Sequence, residues 1–121
     1  MKYTATFKEI AEIFGALAKA EKKMEERTIA ENTYNEALHA YTANGCEASA
    51  GAVMRDAYDD MKKADDGLRH SFNKILDLME IDRKAFAGTD AYYCKLAGET
   101  YHPLLFFLAM RREALELAKT I

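Results

Sequence analysis

Apolar residues recur three and four positions apart almost from the first residue. Phe7, Ile10, Phe14, Leu17 and Met24 mark one helical face, interrupted by Glu21. The face then shifts to Ala30, Tyr34, Leu38 and Tyr41. Thr6-Phe7-Lys8-Glu9 fits a capping box, in which the Thr hydroxyl and the Glu carboxylate each satisfy an orphan amide of the first turn. The spacing predicts a helix from Phe7 to Ala43, roughly 55 Å long at 1.5 Å per residue. Asn44-Gly45 supplies a left-handed stop. A second periodic run follows: Met54, Met61, Leu68, Phe72, Ile75, Met79 and Phe86. It extends to Ala87-Gly88, and its start lies in the small-residue run Ala48–Ala52, with Asn44 and Ser49 as rival caps. A turn near Gly45 pairs positions whose numbers sum to about 89 or 90. Phe14 then meets Ile75, and Phe7 meets Asp82 and its neighbours. The base of this hairpin is rich in Phe, Ile and Leu, and its tip in Ala and Tyr.

The last third of the chain is more broken. Gly88 ends the second run, and Thr89 or Asp90 caps a shorter helix with Tyr92, Tyr93, Leu96 and Ala97 on one face. Gly98 weakens that helix. Thr100 recaps just before Pro103, which a first helical turn tolerates. Leu104–Met110 is apolar all round, so it is buried either against the hairpin base or by a second chain. The first is expected, and self-association is the alternative. No stretch reads as a half-buried strand. The expected fold is all-α: a long antiparallel αα-hairpin with a broken or kinked C-terminal arm, forming one helical-bundle domain over residues 1–121.

Composition and charge narrow the function classes. Half of the residues are apolar, enough for a core, yet no apolar run approaches the length of a membrane span. No secretory signal is visible, and Cys46 and Cys94 show no framework spacing. The expected setting is therefore cytoplasmic, with reduced thiols. The net charge is −3, spread along the chain without a charged tail, so this is neither a polycation nor an acidic nucleic-acid mimic.

Candidate chemistry is sparse. Glu36/His39 and Glu99/His102 share the Glu-x-x-His spacing of di-metal bundles, but both pairs point away from their apolar faces. Glu9, Glu12, Asp77 and Glu80 share a height across the hairpin, again on outward sides. No phosphate-cradling glycine loop or nucleophile arrangement is present. The expectation is no catalytic residue, no metal and no cofactor. The basic residues are better ordered: Lys19, Lys23 and Arg27 recur every four positions, and Arg55, Lys62 and Arg69 every seven. Such stripes can follow a phosphate backbone. With Glu26, Asp59 and Asp66 interleaved, the residues by themselves favour a salt-bridged helix surface. Tyr34, Tyr41 and Tyr58 either pack at the tip or offer contacts to a partner.

Several short strings, in order, resemble one family. Ala11–Leu17 is similar to an Ala-x-x-x-Gly-Arg-Leu helix, and Ala48-Ser49-Ala50 to an Ala-Ser-Ala segment before a long helix. Phe72–Leu76 is similar to a Phe-x-Lys followed by two aliphatics, and Arg112, Ala114 and Leu115 to an Arg-x-Ala-Leu ending. Together they resemble the small subunit of type I CRISPR surveillance complexes, especially the type I-C form. The same domain there also forms the C-terminal part of the large subunit. The chain departs from that pattern at Ala16, at Gly51-Ala52 and at Leu108-Ala109-Met110. The resemblance implies a non-catalytic subunit that bridges other subunits and steadies target and displaced DNA strands. It makes Lys19, Lys23, Arg27, Arg55, Lys62, Arg69 and Arg112 the candidate nucleic-acid residues. The rival expectation is a helical protein-binding module, such as a homodimeric adaptor or a phage-type inhibitor, without nucleic-acid contact.

Overall fold

The protein's computed structural model describes residues 2–82 and 103–121. Helices account for 84% of these residues, and no strand occurs among them, in accord with the 3-4 periodicity of the apolar positions. The helices are α1 (Phe7–Ala43), α2 (Ala48–Leu78) and α3 (Pro103–Ala118). α1 and α2 pack as a hairpin.

The caps explain where the hairpin begins and turns. The Thr6 amide donates to Glu9 Oε1 at 3.1 Å, and the Glu9 amide donates to Thr6 Oγ1 at 3.2 Å. That is the capping box the first residues predict. At the far end Gly45 takes φ +66° and Cys46 φ +61°. The Cys46 amide reaches back to the Tyr41 carbonyl at 2.9 Å, closing the last turn. Across the helices Gly51 lies under the Tyr41 ring, Tyr34 meets Tyr58, and Arg27 meets Asp65. Each pair sums to 92, two or three positions beyond the expected register, because the turn occupies Asn44–Glu47 rather than closing at Gly45.

α2 stops nine residues before the expected end at Ala87. Glu80 adopts φ +56°. Its amide donates to Asp77 O at 3.0 Å, and the Ile81 amide donates to Leu76 O at 2.9 Å. This is a Schellman ending with a glutamate in the left-handed position that glycine usually fills. Sequence reading passed over it for that reason. The expected short helix around Tyr92–Ala97, its caps, and Phe86 lie outside the described residues.

Contacts gather into two compact units, Met1–Glu21 with His70–Ile121, and Lys22–Arg69. In the first, Ile10, Ile13, Leu17 and Ala20 of α1 are buried in the same unit as Phe72, Ile75, Leu76 and Met79. Phe106, Phe107, Ala109, Met110, Ala114 and Leu117 of α3 complete this core. The Phe72 and Phe106 rings lie 5.2 Å apart. The Lys2 amide donates to Met79 O at 3.2 Å, and the Ala5 amide to Thr120 Oγ1 at 3.2 Å. Those two bonds place the start of α1 beside the ends of both α2 and α3. α3 therefore runs antiparallel to α1 and in the same direction as α2.

Two expected core positions are corrected here. Phe7 is 79% exposed, and Phe14 is only half-buried. The buried stripe runs through Ile13 instead, one position round the helix, because Ile10, Ile13, Leu17 and Ala20 keep the same 3-4 rhythm in a shifted frame. The apolar run of α3 also divides. Phe106, Phe107, Ala109 and Met110 face inward, whereas Leu104, Leu105 and Leu108 are exposed.

The second unit is a bare pair of helices. Its buried apolar side chains are Ala37, Ala57 and Leu68. Met24, Tyr34, Tyr41, Met54 and Met61 are half-buried, and Leu38, expected on the seam, is exposed. Two helices alone cannot enclose a seam of this length, so two alanines and Leu68 are its only fully covered apolar side chains.

Candidate nucleic-acid interface

α2 carries Arg55, Lys62 and Arg69 one heptad apart, which sets them on one edge of the helix. Arg55 and Lys62 are exposed and carry no ion pair among the described residues. Arg69 is engaged: its Nε donates to Asp65 Oδ2 at 3.1 Å. Arg27 reaches the same carboxylate from α1, with Nε donating to Asp65 Oδ1 at 2.9 Å, while its Nη1 donates to Glu31 Oε2 at 2.9 Å. Asp65 thus receives one guanidinium on each oxygen. The Arg27 side chain retains 19% of its exposure and that of Asp65 24%, so the pair is partly shielded from solvent. These are charge-assisted bonds in a half-dry setting, and the one between Arg27 and Asp65 ties α1 to α2.

Lys23 is half-buried, and its Nζ lies 3.6 Å from where a Cβ on Gly67 would stand. The missing side chain at Gly67 gives the lysine stem room to cross toward α2. The hairpin unit therefore gathers Lys23, Arg27, Arg55, Lys62 and Arg69, but Arg27 already serves as its cross-link and Arg69 is engaged on the same Asp65. Lys19 and Arg112 belong to the other unit, where both are exposed. Over Lys22–Arg69 there are seven Lys/Arg against ten Asp/Glu, so the whole net charge of the chain resides in the hairpin.

Asp65 is the residue that sequence reasoning missed. Its signal was present as two i, i+4 pairs, Arg27/Glu31 and Asp65/Arg69, whose cations converge once the hairpin closes. The tip tyrosines pack among themselves and on glycine. Tyr34 and Tyr58 have ring centroids 5.5 Å apart at 59°, and Tyr41 Cε2 lies 3.1 Å from a Cβ built on Gly51. Tyr58 still leaves 43% of its surface in solvent.

The acidic candidates have other employment or stand apart. Glu9 closes the capping box and pairs with Lys2. Glu36 and His39 are both exposed, and the matching Glu99/His102 pair lies outside the described residues. Among the described residues no group of three or more His, Cys, Asp or Glu side chains is placed to hold a metal ion. No helix among them is long and apolar enough to cross a membrane. No family model matches the chain, and no match was found among curated proteins or solved structures.

Proposed function

We propose that this chain is a non-catalytic helical subunit that works by binding other macromolecules within a larger assembly. The observation that carries the reading is the Lys22–Arg69 hairpin. It cross-links its two helices through Arg27 and Asp65 and buries only Ala37, Ala57 and Leu68 among its apolar side chains. Apolar side chains stay in solvent along both of its helices: Val53, Tyr58, Leu38 and Ile29 are exposed, and Met24, Met54 and Met61 are half-covered. Amphipathic and apolar side chains of this kind are the stock of protein interfaces. Contact with other protein chains is the primary role.

A specific observation favours a DNA-facing role beside it. Arg55 and Lys62 stand exposed and unpaired among the described residues on one edge of α2, as Lys19 does on α1. With the resemblance to the type I CRISPR small subunit, this gives the second form of the proposal: a strut that bridges subunits and steadies target or displaced DNA. The test is DNA binding by the assembled complex carrying Lys19→Glu, Arg55→Glu and Lys62→Glu together, with Arg27 and Arg69 left intact. In the DNA-facing form, each lost phosphate contact lowers the slope of log K against log salt by roughly 0.7–0.9. Assembly stays unchanged. Unchanged DNA affinity in a complex that contains the variant leaves the protein-binding form alone. Loss of the chain from the complex would instead place these residues at a protein interface.

A further inference from the structure

The outer face of α3 lies in the other unit and, apart from the nucleic-acid candidate Arg112, takes no part in the sites described above. Leu104, Leu108 and Leu115 fall within about 40° of one another at 100° per residue, forming one stripe along the helix. They are 58%, 44% and 47% exposed, and Leu105 beside them is 44% exposed. The opposite face of the same helix fills the core with Phe106, Phe107, Met110, Ala114 and Leu117, so the exposed leucines are not needed to hold α3 in place. Arg111 and Arg112 flank the stripe on its two sides. Both are exposed, and neither has an ion pair among the described residues. The nearby carboxylate Glu116 is taken by Lys119 at 3.0 Å.

Charge decides what fits. When two copies of this stripe pair about a two-fold axis, the Arg111-Arg112 step of each sits near the middle, and arginines face arginines. Like charges at the flanks of a helix pair disfavour that partner. A phosphate backbone would meet the arginines but leave four leucines uncovered. An apolar seam bordered by acids satisfies both features. We propose that the outer face of α3 docks an amphipathic helix of a partner protein, with a leucine-type seam flanked by Glu or Asp. The proposal rests on the reading of the chain as a binding subunit, but on a different surface from the hairpin.

The probe is a fluorescein-labelled synthetic helix of three heptads, with a leucine seam and Glu at the flanking positions. A control has the same seam with Lys there. Like-charged flanks keep both peptides from self-pairing. Titrated with the full chain and read by fluorescence anisotropy, the Glu peptide is expected to bind at least about tenfold more tightly than the Lys peptide. Leu108→Ser with Leu115→Ser should weaken it by about tenfold or more without lowering the melting temperature. Arg111→Glu with Arg112→Glu should transfer the preference to the Lys peptide. Equal binding of the two peptides, or binding indifferent to the leucine changes, overturns the proposal. So does a dimer in light scattering that Leu108→Ser dissolves, which would make the occupant a second copy. Binding to phosphatidylserine vesicles that the leucine changes abolish, with no peptide binding, also overturns it in favour of a lipid surface. Failure here, with the chain still assembling into its complex, removes the α3 site and leaves the hairpin reading standing.

Discussion

Asp65 is the side chain on which the hairpin's charge pattern turns. With Arg27 on one oxygen and Arg69 on the other, its replacement by Asn removes the countercharge of two cations at once. Exposed pairs are worth little and buried ones cost several kcal/mol to break, so this half-shielded network should lose about 1–2 kcal/mol. Urea unfolding checks the value, and the loss should shrink in high salt. Gly15 makes the opposite case. It sits mid-helix on the exposed side of α1, and a Cβ there meets nothing within 4 Å. Gly15→Ala should therefore stabilise the fold by roughly 0.5–1 kcal/mol, seen as a raised urea midpoint at unchanged slope. An unchanged or lowered midpoint would show that this face of α1 is covered by something.

Helix ends were legible in the chain only where the residue type announced them. Thr6 and Glu9 begin α1 as a capping box must, and Gly45 ends it at positive φ. The end of α2 was hidden because Glu80 takes a conformation that its side chain disfavours. The seam of α1 was misplaced because large aromatics, Phe7 and Phe14, outweighed Ile13 in the pattern, although volume alone does not set which face turns inward. Leu104–Met110 was read as apolar all round, but periodicity without a polar face cannot say which half of the run is core. The candidate basic stripes were visible as spacings, whereas the Asp65 cross-link depends on which residues meet once the hairpin closes. Glu80→Gly separates the two readings of α2 by sign. At a Schellman position it should stabilise by about 1 kcal/mol, whereas inside a continuous helix it would cost about as much. Thermal unfolding of the single variant decides between them.

For the molecule as a whole, stability should be unevenly divided. One unit buries a full three-helix core, and the other buries little beyond two alanines and Leu68. Native-state hydrogen exchange should accordingly find the amides of Lys22–Arg69 opening at lower free energy than those of Ile10–Ala20 and Phe72–Leu76. Leu17→Asp should abolish cooperative melting, because it places an unpaired charge at a site 3% exposed, at a cost of several kcal/mol. A hairpin that buries so little and leaves several apolar side chains exposed is suited to gaining order from a partner. The most direct test is the mass of the particle that holds this chain when it is purified gently from its native host. Size exclusion with light scattering should find it at fixed stoichiometry in a complex several times its own 13.7 kDa. Recovery only as the free 13.7 kDa chain, across low-salt conditions, would contradict the account.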